Sequence, residues 1–195
     1  MYEIPVSVTI EGKEFKIRNQ GDFRVILDCF AALDDVQLTP KERMIACIMI
    51  FYEDINSLED FDKFPSVEVA ETEMFKFFNC GQEESPGASS NYKLIDWRSD
   101  SQLISSAINN VAHKEIRAEK YIHWWTFMGY YLAVGECALA TVVSIRSKIA
   151  KGKKLEKYEQ AFRRDNPQYF NWDSKTLQQR EDEELLKQLW NNESG

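Results

Sequence analysis

The chain has 195 residues, enough for one domain or two small ones, and 44% of them are hydrophobic, with 12 Phe, 8 Tyr and 5 Trp to fill a core. Its formal net charge of −8 argues against general nucleic-acid binding, which needs a basic face for phosphates, and 5 Pro and 8 Gly are too few for a disordered or all-turn chain. The four cysteines (Cys29, Cys47, Cys80 and Cys137) form no C-x-x-C pair and have only His113 and His123 beside them, so they read as reduced core residues of a cytosolic protein rather than a zinc site.

The opening MYEIPVSVTIEG has no basic n-region and no long apolar run, and so does not read as a signal peptide. Val6, Val8 and Ile10 fall on two-residue spacing, as do Phe15 and Ile17, with EGK between them; this pattern predicts a β-hairpin. Asp22 then stands as N-cap to a helical stripe of Phe23, Val25, Ile26, Leu27, Phe30 and Leu33. Thr39, Pro40 and Glu42 form a capping box with proline at the first helical position. The helix they start, Lys41 to about Tyr52, is apolar on most sides through Met44, Ile45, Cys47, Ile48, Met49 and Phe51. A third helix is predicted over Val67 to Phe78.

GQEESPGASSN, residues 81–91, is the clearest break in the chain and reads as a mobile loop or linker. The expected organisation is an N-terminal hairpin plus helices over 1–80, a linker at 81–93, a C-terminal helical unit over 94–167 and a helical extension over 168–195. Past the linker, Ser99 or Asp100 caps a helix to about Val111. Further helical signal runs to Gly152, then from KKLEKYEQAFRR to Pro167, and lastly over 174–190 with Leu177, Leu185, Leu186, Leu189 and Trp190 as its apolar set. The fold class is mainly α: a helical bundle with a small N-terminal β-hairpin.

YIHWWTFMGYYLAVGE, residues 121–136, poses the main functional question. A membrane span needs ~20 mostly apolar residues. Here Glu136 would lie at mid-depth, and the aromatics crowd one end rather than both edges. His123 has no nucleophile, metal or phosphate-loop signature to work with. Tyr121, Trp124, Trp125, Met128 and Leu132 recur at i, i+3, i+4, i+7 and i+11, and Ile122, Phe127, Tyr131 and Val134 widen that stripe almost to a full cylinder. This predicts a buried central helix, with His123, Thr126 and Tyr130 as its only watery strip. Two adjacent tryptophans and three tyrosines are hard for a small protein to enclose completely, so two readings stand: a plain core, or a core that extends into an interface with a second copy or a client, with Tyr121, Trp124, Trp125, Met128, Tyr131 and Trp97 as the contact set. The spacing leaves open which tryptophan points outward.

RSKIAKGKKLEKYEQAFRR, residues 146–164, carries eight basic side chains (Arg146, Lys148, Lys151, Lys153, Lys154, Lys157, Arg163, Arg164) against two Glu. Two readings stand: a solvated helix face favoured by the macrodipole, or a surface for an acidic partner or nucleic acid. No aromatic set alternates with these residues as single-strand binders require, and pairing with the acidic remainder of a second copy is a further possibility.

The ordered set DFRVILDCF (22–30), FYED (51–54), FFNCG (77–81), YKLIDWRSDSQLISSAINN (92–110), IHWWTFMGYY (122–131) and SIRSKIAKGKKLEKYEQAFRRDNP (144–167) resembles a family of tail-module proteins of long, non-contractile-tailed bacteriophages and prophages of Gram-positive hosts. The resemblance covers about residues 5–167 and leaves 168–195 outside. Genes of that family commonly lie between those of the major tail protein and the tape-measure protein. It implies a tail-assembly chaperone in the cytoplasm of the infected or lysogenic host, binding the tape-measure protein, with the major tail protein as a further partner; the residues themselves add the expectations of a homo-oligomer, no specific nucleic acid and no membrane. It implies no catalytic residue and no cofactor. The alternative is a structural minor tail or connector subunit retained in the virion.

Overall fold

A computed structural model describes residues 3–82 and 92–171. Most of the expected 81–93 linker, and the helix read at 174–190, lie outside the described residues. The rest is mainly helical with one two-stranded antiparallel hairpin. By contacts the chain divides into two compact units: Met1–Ala88 with Ile104–Val134, and Ser89–Leu103 with Gly135–Gly195. This differs from the division expected at the linker. The aromatic segment up to Val134 groups with the N-terminal hairpin and helices, because its side chains bond to them.

In the first unit, strands β1 (Ser7–Ile10) and β2 (Lys13–Lys16) pair from Ser7↔Lys16 to Ile10↔Lys13. Glu11 and Gly12 make the two-residue turn with φ of 47° and 83°, the left-handed pair that matches the twist of a tight hairpin. Val8, Ile10 and Phe15 face inward, whereas Val6, which precedes the strand, is exposed. A short 3-10 turn at Arg18–Gly21 follows. Its Arg18 guanidinium donates to the carbonyls of Met49, Ile50 and Tyr52 at 3.0 Å each, filling acceptors that the end of a helix leaves open.

Helices α1 (Phe23–Leu33), α2 (Pro40–Phe51) and α3 (Val67–Phe78) start as their caps dictate. Asp22 accepts the Arg24 amide, Thr39 and Glu42 close a reciprocal capping box, and Ser66 accepts from Val69. Ile26 and Cys29 of α1, Cys47, Ile48 and Phe51 of α2, and Ala70, Met74, Phe77 and Phe78 of α3 make the core. Phe51 meets Phe77 and Phe78 edge to face at ring separations of 5.4 and 5.5 Å. The Tyr52 hydroxyl, immediately after α2, donates to the Ala70 carbonyl of α3 at 2.7 Å.

The long helix expected across the aromatic segment is two helices. α4 (Ser101–Ala112) precedes it; α5 then runs only Trp124–Leu132, and α6 covers Ala138–Ala150. Residue 123 is extended (φ −60°, ψ 141°) because its backbone bridges Asp22, so Tyr121 and Ile122 lie outside the helix. At the far end Gly135 disfavours continuation by about 1 kcal/mol relative to Ala.

In the second unit, Leu139, Val142 and Ile145 of α6 are buried, and α7 (Lys157–Asp165) opens with a capping box between Glu156 and Glu159. Arg146, expected on a basic surface, is buried. Its guanidinium grips both Asp100 carboxylate oxygens at 2.6 and 3.0 Å and also donates to the carbonyls of Leu94 and Tyr169. One side chain thereby ties α6 to the segment before α4 and to the one after α7. All four cysteines are free thiols, with Cys29 and Cys47 buried. The hydrogen bond between their two sites, and then burial, push the Cys29 thiol far above its usual range.

Candidate functional site

The aromatic segment is anchored at its start by two residues, Asp22 and His123. The Asp22 carboxylate caps α1, accepts the Ile122 amide at 2.9 Å and holds the Arg24 guanidinium at 3.0 Å. Arg24 lies over the Phe23 ring, 4.5 Å from its centre, and donates to the Glu119 carbonyl at 2.7 Å. His123 is buried, not on a watery strip. Its Nδ1 accepts the Trp125 amide as the N-cap of α5, so Nε2 carries the proton and donates to the Pro5 carbonyl at 2.9 Å. Burial lowers the pKa of the ring, against the Pro5 bond and the Asp22 charge, which raise it, and keeps it neutral. Gly21 is required here: its φ is 77°, and a Cβ would stand 2.8 Å from the Phe77 ring.

Both tryptophans face α3. The Trp124 indole is buried (1% exposed), donates to the Phe78 carbonyl at 2.9 Å and stacks on Phe127, which stacks on Phe23. The Trp125 indole donates to the Phe77 carbonyl at 2.9 Å and covers Gly81, but remains half-buried. Consecutive indoles therefore occupy two terminal carbonyls of α3. Met128 and Tyr131 are half-buried, and Leu132 is 75% exposed. Tyr121, 41% exposed, donates to the Gln20 carbonyl at 3.0 Å beside a hollow of about 580 Å³ of mixed lining, to which Val6, Ile17, Glu14, Lys16 and Glu53 also contribute. The buried cylinder expected of this helix is a buried inner face, Trp124 and Phe127, and a part-exposed outer one. Trp97 belongs to the other unit, where it is half-buried.

The basic set is smaller than its sequence count. Arg146 serves the buried pair with Asp100, and Lys148 lies 2.7 Å from the buried Glu159 carboxylate, which that bond holds below its ordinary pKa. Lys151, Lys153, Lys154, Lys157, Arg163 and Arg164 are exposed.

The helix read as apolar on most sides leaves one apolar surface open. α2 buries Arg43, Cys47, Ile48 and Phe51. On its other side Glu42, Ile45, Ala46 and Met49 recur at i, i+3, i+4 and i+7, a second stripe of helical period. With Leu38, Ile50 and Leu58 these residues line a shallow groove of about 440 Å³ in which, among the described residues, Glu42 is the one charged lining residue. Leu58 is 65% exposed and Val36, nearby in sequence, 52%. The signal was present in the sequence as an apolar set too broad for one buried face.

Among the described residues no helix is long and apolar enough to cross a membrane, and no group of three or more His, Cys, Asp or Glu is placed to hold a metal ion. A family profile described as "Bacteriophage Gp15 protein" matches residues 1–170. No curated protein and no solved structure matches the chain.

Proposed function

The chain belongs to the bacteriophage Gp15 protein family, and from that premise we propose that it is a non-enzymatic tail-assembly chaperone, holding the tape-measure protein in the host cytoplasm until tail-tube subunits take its place. The α2 groove carries this reading. An open apolar trough lined by Leu38, Ile45, Met49 and Leu58 suits one apolar stripe of a partner helix, read at i, i+3, i+4 and i+7. A long helical client offers such stripes repeatedly, so weak single contacts add up through many bound copies. A holdase of this kind lowers the free concentration of an aggregating chain by mass action, and the net charge of −8 keeps the loaded complex soluble. The half-exposed outer face of α5, with Trp125, Met128 and the exposed Leu132, is the secondary contact surface, and the major tail protein a second partner.

Co-expression with the tape-measure protein tests the proposal. The client is expected to become soluble and to co-purify, and Ile45→Asp, placed in the groove, is expected to abolish co-purification. A client that stays insoluble with the native chain would sink the reading. Mass spectrometry of finished particles decides the role further: a chaperone is absent, whereas a fixed copy number would make the chain a minor tail or connector subunit.

A further inference from the structure

Three sulfur atoms meet in the core of the first unit, one from each of its first three helices. Cys29 of α1, Cys47 of α2 and Met74 of α3 are each 0% exposed. The Cys47 thiol points at the Met74 thioether, with Sγ 3.7 Å from Sδ. The Cys29 thiol donates to the Cys47 carbonyl at 3.7 Å and is hydrogen-bonded to the Cys47 side chain as well. Apart from Arg43, the other buried residues of these helices are Ile, Val, Phe and Ala, whose side chains offer a ligand no donor atom.

Two thiols and a thioether are a soft donor set. Sulfur ligands of this kind select monovalent copper, and three of them fall short of the four-ligand shell of a structural zinc. Their spacing suits a small ion. The centre of a triangle with 3.7 Å edges lies about 2.1 Å from each corner, close to the ~2.3 Å of a zinc–thiolate bond, so a slight outward shift of the side chains admits a three-coordinate metal. Met74 can make that shift, because its side chain is unbranched and adaptable.

We propose that Cys29, Cys47 and Met74 form a three-coordinate site for a soft monovalent metal ion of the copper(I) class, joining α1, α2 and α3 at one point. Binding is an exchange without electron transfer. The S–H bonds of Cys29 and Cys47 break, two sulfur–metal bonds form, two protons leave to solvent, and the Met74 thioether adds a lone pair. The loaded site carries one net negative charge. Arg43, buried one helical turn before Cys47, offsets that charge, and the exposed Asp28 beside Cys29 in sequence works against it. No donor is exposed, so the ion enters as the chain folds or as the three helices open locally. The proposal is independent of the chaperone reading, since it concerns the buried side of α2 and not its groove.

Copper(I) held by a chromogenic chelator, under reducing and oxygen-free conditions, tests it on the full-length chain, both native and refolded in the presence of the ion. One ion per chain is expected to leave the chelator and to raise the melting temperature. Silver(I), soft and monovalent, is expected to compete for the same place. X-ray absorption at the copper edge is expected to show three sulfur neighbours. Met74→Leu, which nearly conserves the core volume, is expected to fold and to weaken binding at least tenfold, and Cys47→Ala to abolish it. Cys80→Ser combined with Cys137→Ser removes the two partly exposed thiols and is expected to leave binding unchanged. Should Cys47→Ala fail to fold, Met74→Leu and the sulfur count decide. A refolded chain that takes no ion overturns the proposal, as do a shell of two sulfurs, a Met74→Leu chain that binds like the native one, or loss of the ion on replacing Cys80 and Cys137.

Discussion

Helices α2 and α5 exchange the roles that their compositions imply. α5, WWTFMGYYL, holds no charge, yet it is bound through polar atoms: an imidazole cap and two indole N–H groups that end on α3 carbonyls. α2, PKERMIACIMIF, begins with three charged residues and a capping box, yet turns a stripe of Ile45, Ala46 and Met49 toward solvent. Apolar content measures how much surface wants cover, and polar handles decide where the cover is found. An indole or imidazole is satisfied only by a partner at hydrogen-bond distance, so it fixes the pose of its helix, while Ile and Met accept any apolar neighbour, including one from another molecule.

Trp124→Ala puts the greatest load on this contrast. It removes a buried ring, its stacking on Phe127 and the bond to Phe78, and is expected to cost ~3–5 kcal/mol in denaturant unfolding. Trp125→Ala removes a half-buried ring and one bond, and about 1–2 kcal/mol is expected. Equal losses would erase the distinction between the inner and outer faces of α5. A Trp125→Ala protein that folds normally but binds the client less tightly would strengthen it.

The hairpin, α1, α2 and α3 were legible within a residue or so, because Asp22, Thr39, Glu42 and the EGK turn are local signals acting on their own neighbourhood. The start of α5 was not, since the Asp22–His123 bridge that sets it joins positions about a hundred residues apart. Arg146 was misread for the same reason: its partner Asp100 is 46 residues away, and a Lys/Arg count carries no information about pairing. The α2 groove was visible as a pattern, but a periodic apolar stripe reads alike whether the cover belongs to the chain or to a partner.

His123 gives a smaller and pH-dependent effect on the same junction. Its folded pKa lies below the ordinary 6.5, chiefly through burial. The unfolded chain therefore binds the proton first, and stability is complete above that value and falls as pH drops below it. Carboxylates such as Asp60 and Asp96, held at about 2, lose their contribution only in much stronger acid. Melting temperatures measured from pH ~7.5 to ~5.5 are expected to fall for the native chain, and His123→Asn, which keeps a cap acceptor for the Trp125 amide, is expected to flatten that fall. An unchanged slope would place the proton elsewhere.

Leu58→Ser is expected to move stability least, within about 0.5 kcal/mol, because the side chain is already 65% exposed and closes no buried contact on its own. It completes the contrast with Trp124 for that reason. If α2 keeps its apolar stripe for another molecule, the melting curve hardly moves while co-purification of the tape-measure protein weakens. If the stripe only tops off the core, melting and binding fall together, and α2 then differs from α5 in degree rather than in kind. Measuring both quantities on one variant separates cover supplied by the chain from cover supplied by a partner, a separation that burial in a lone chain does not make.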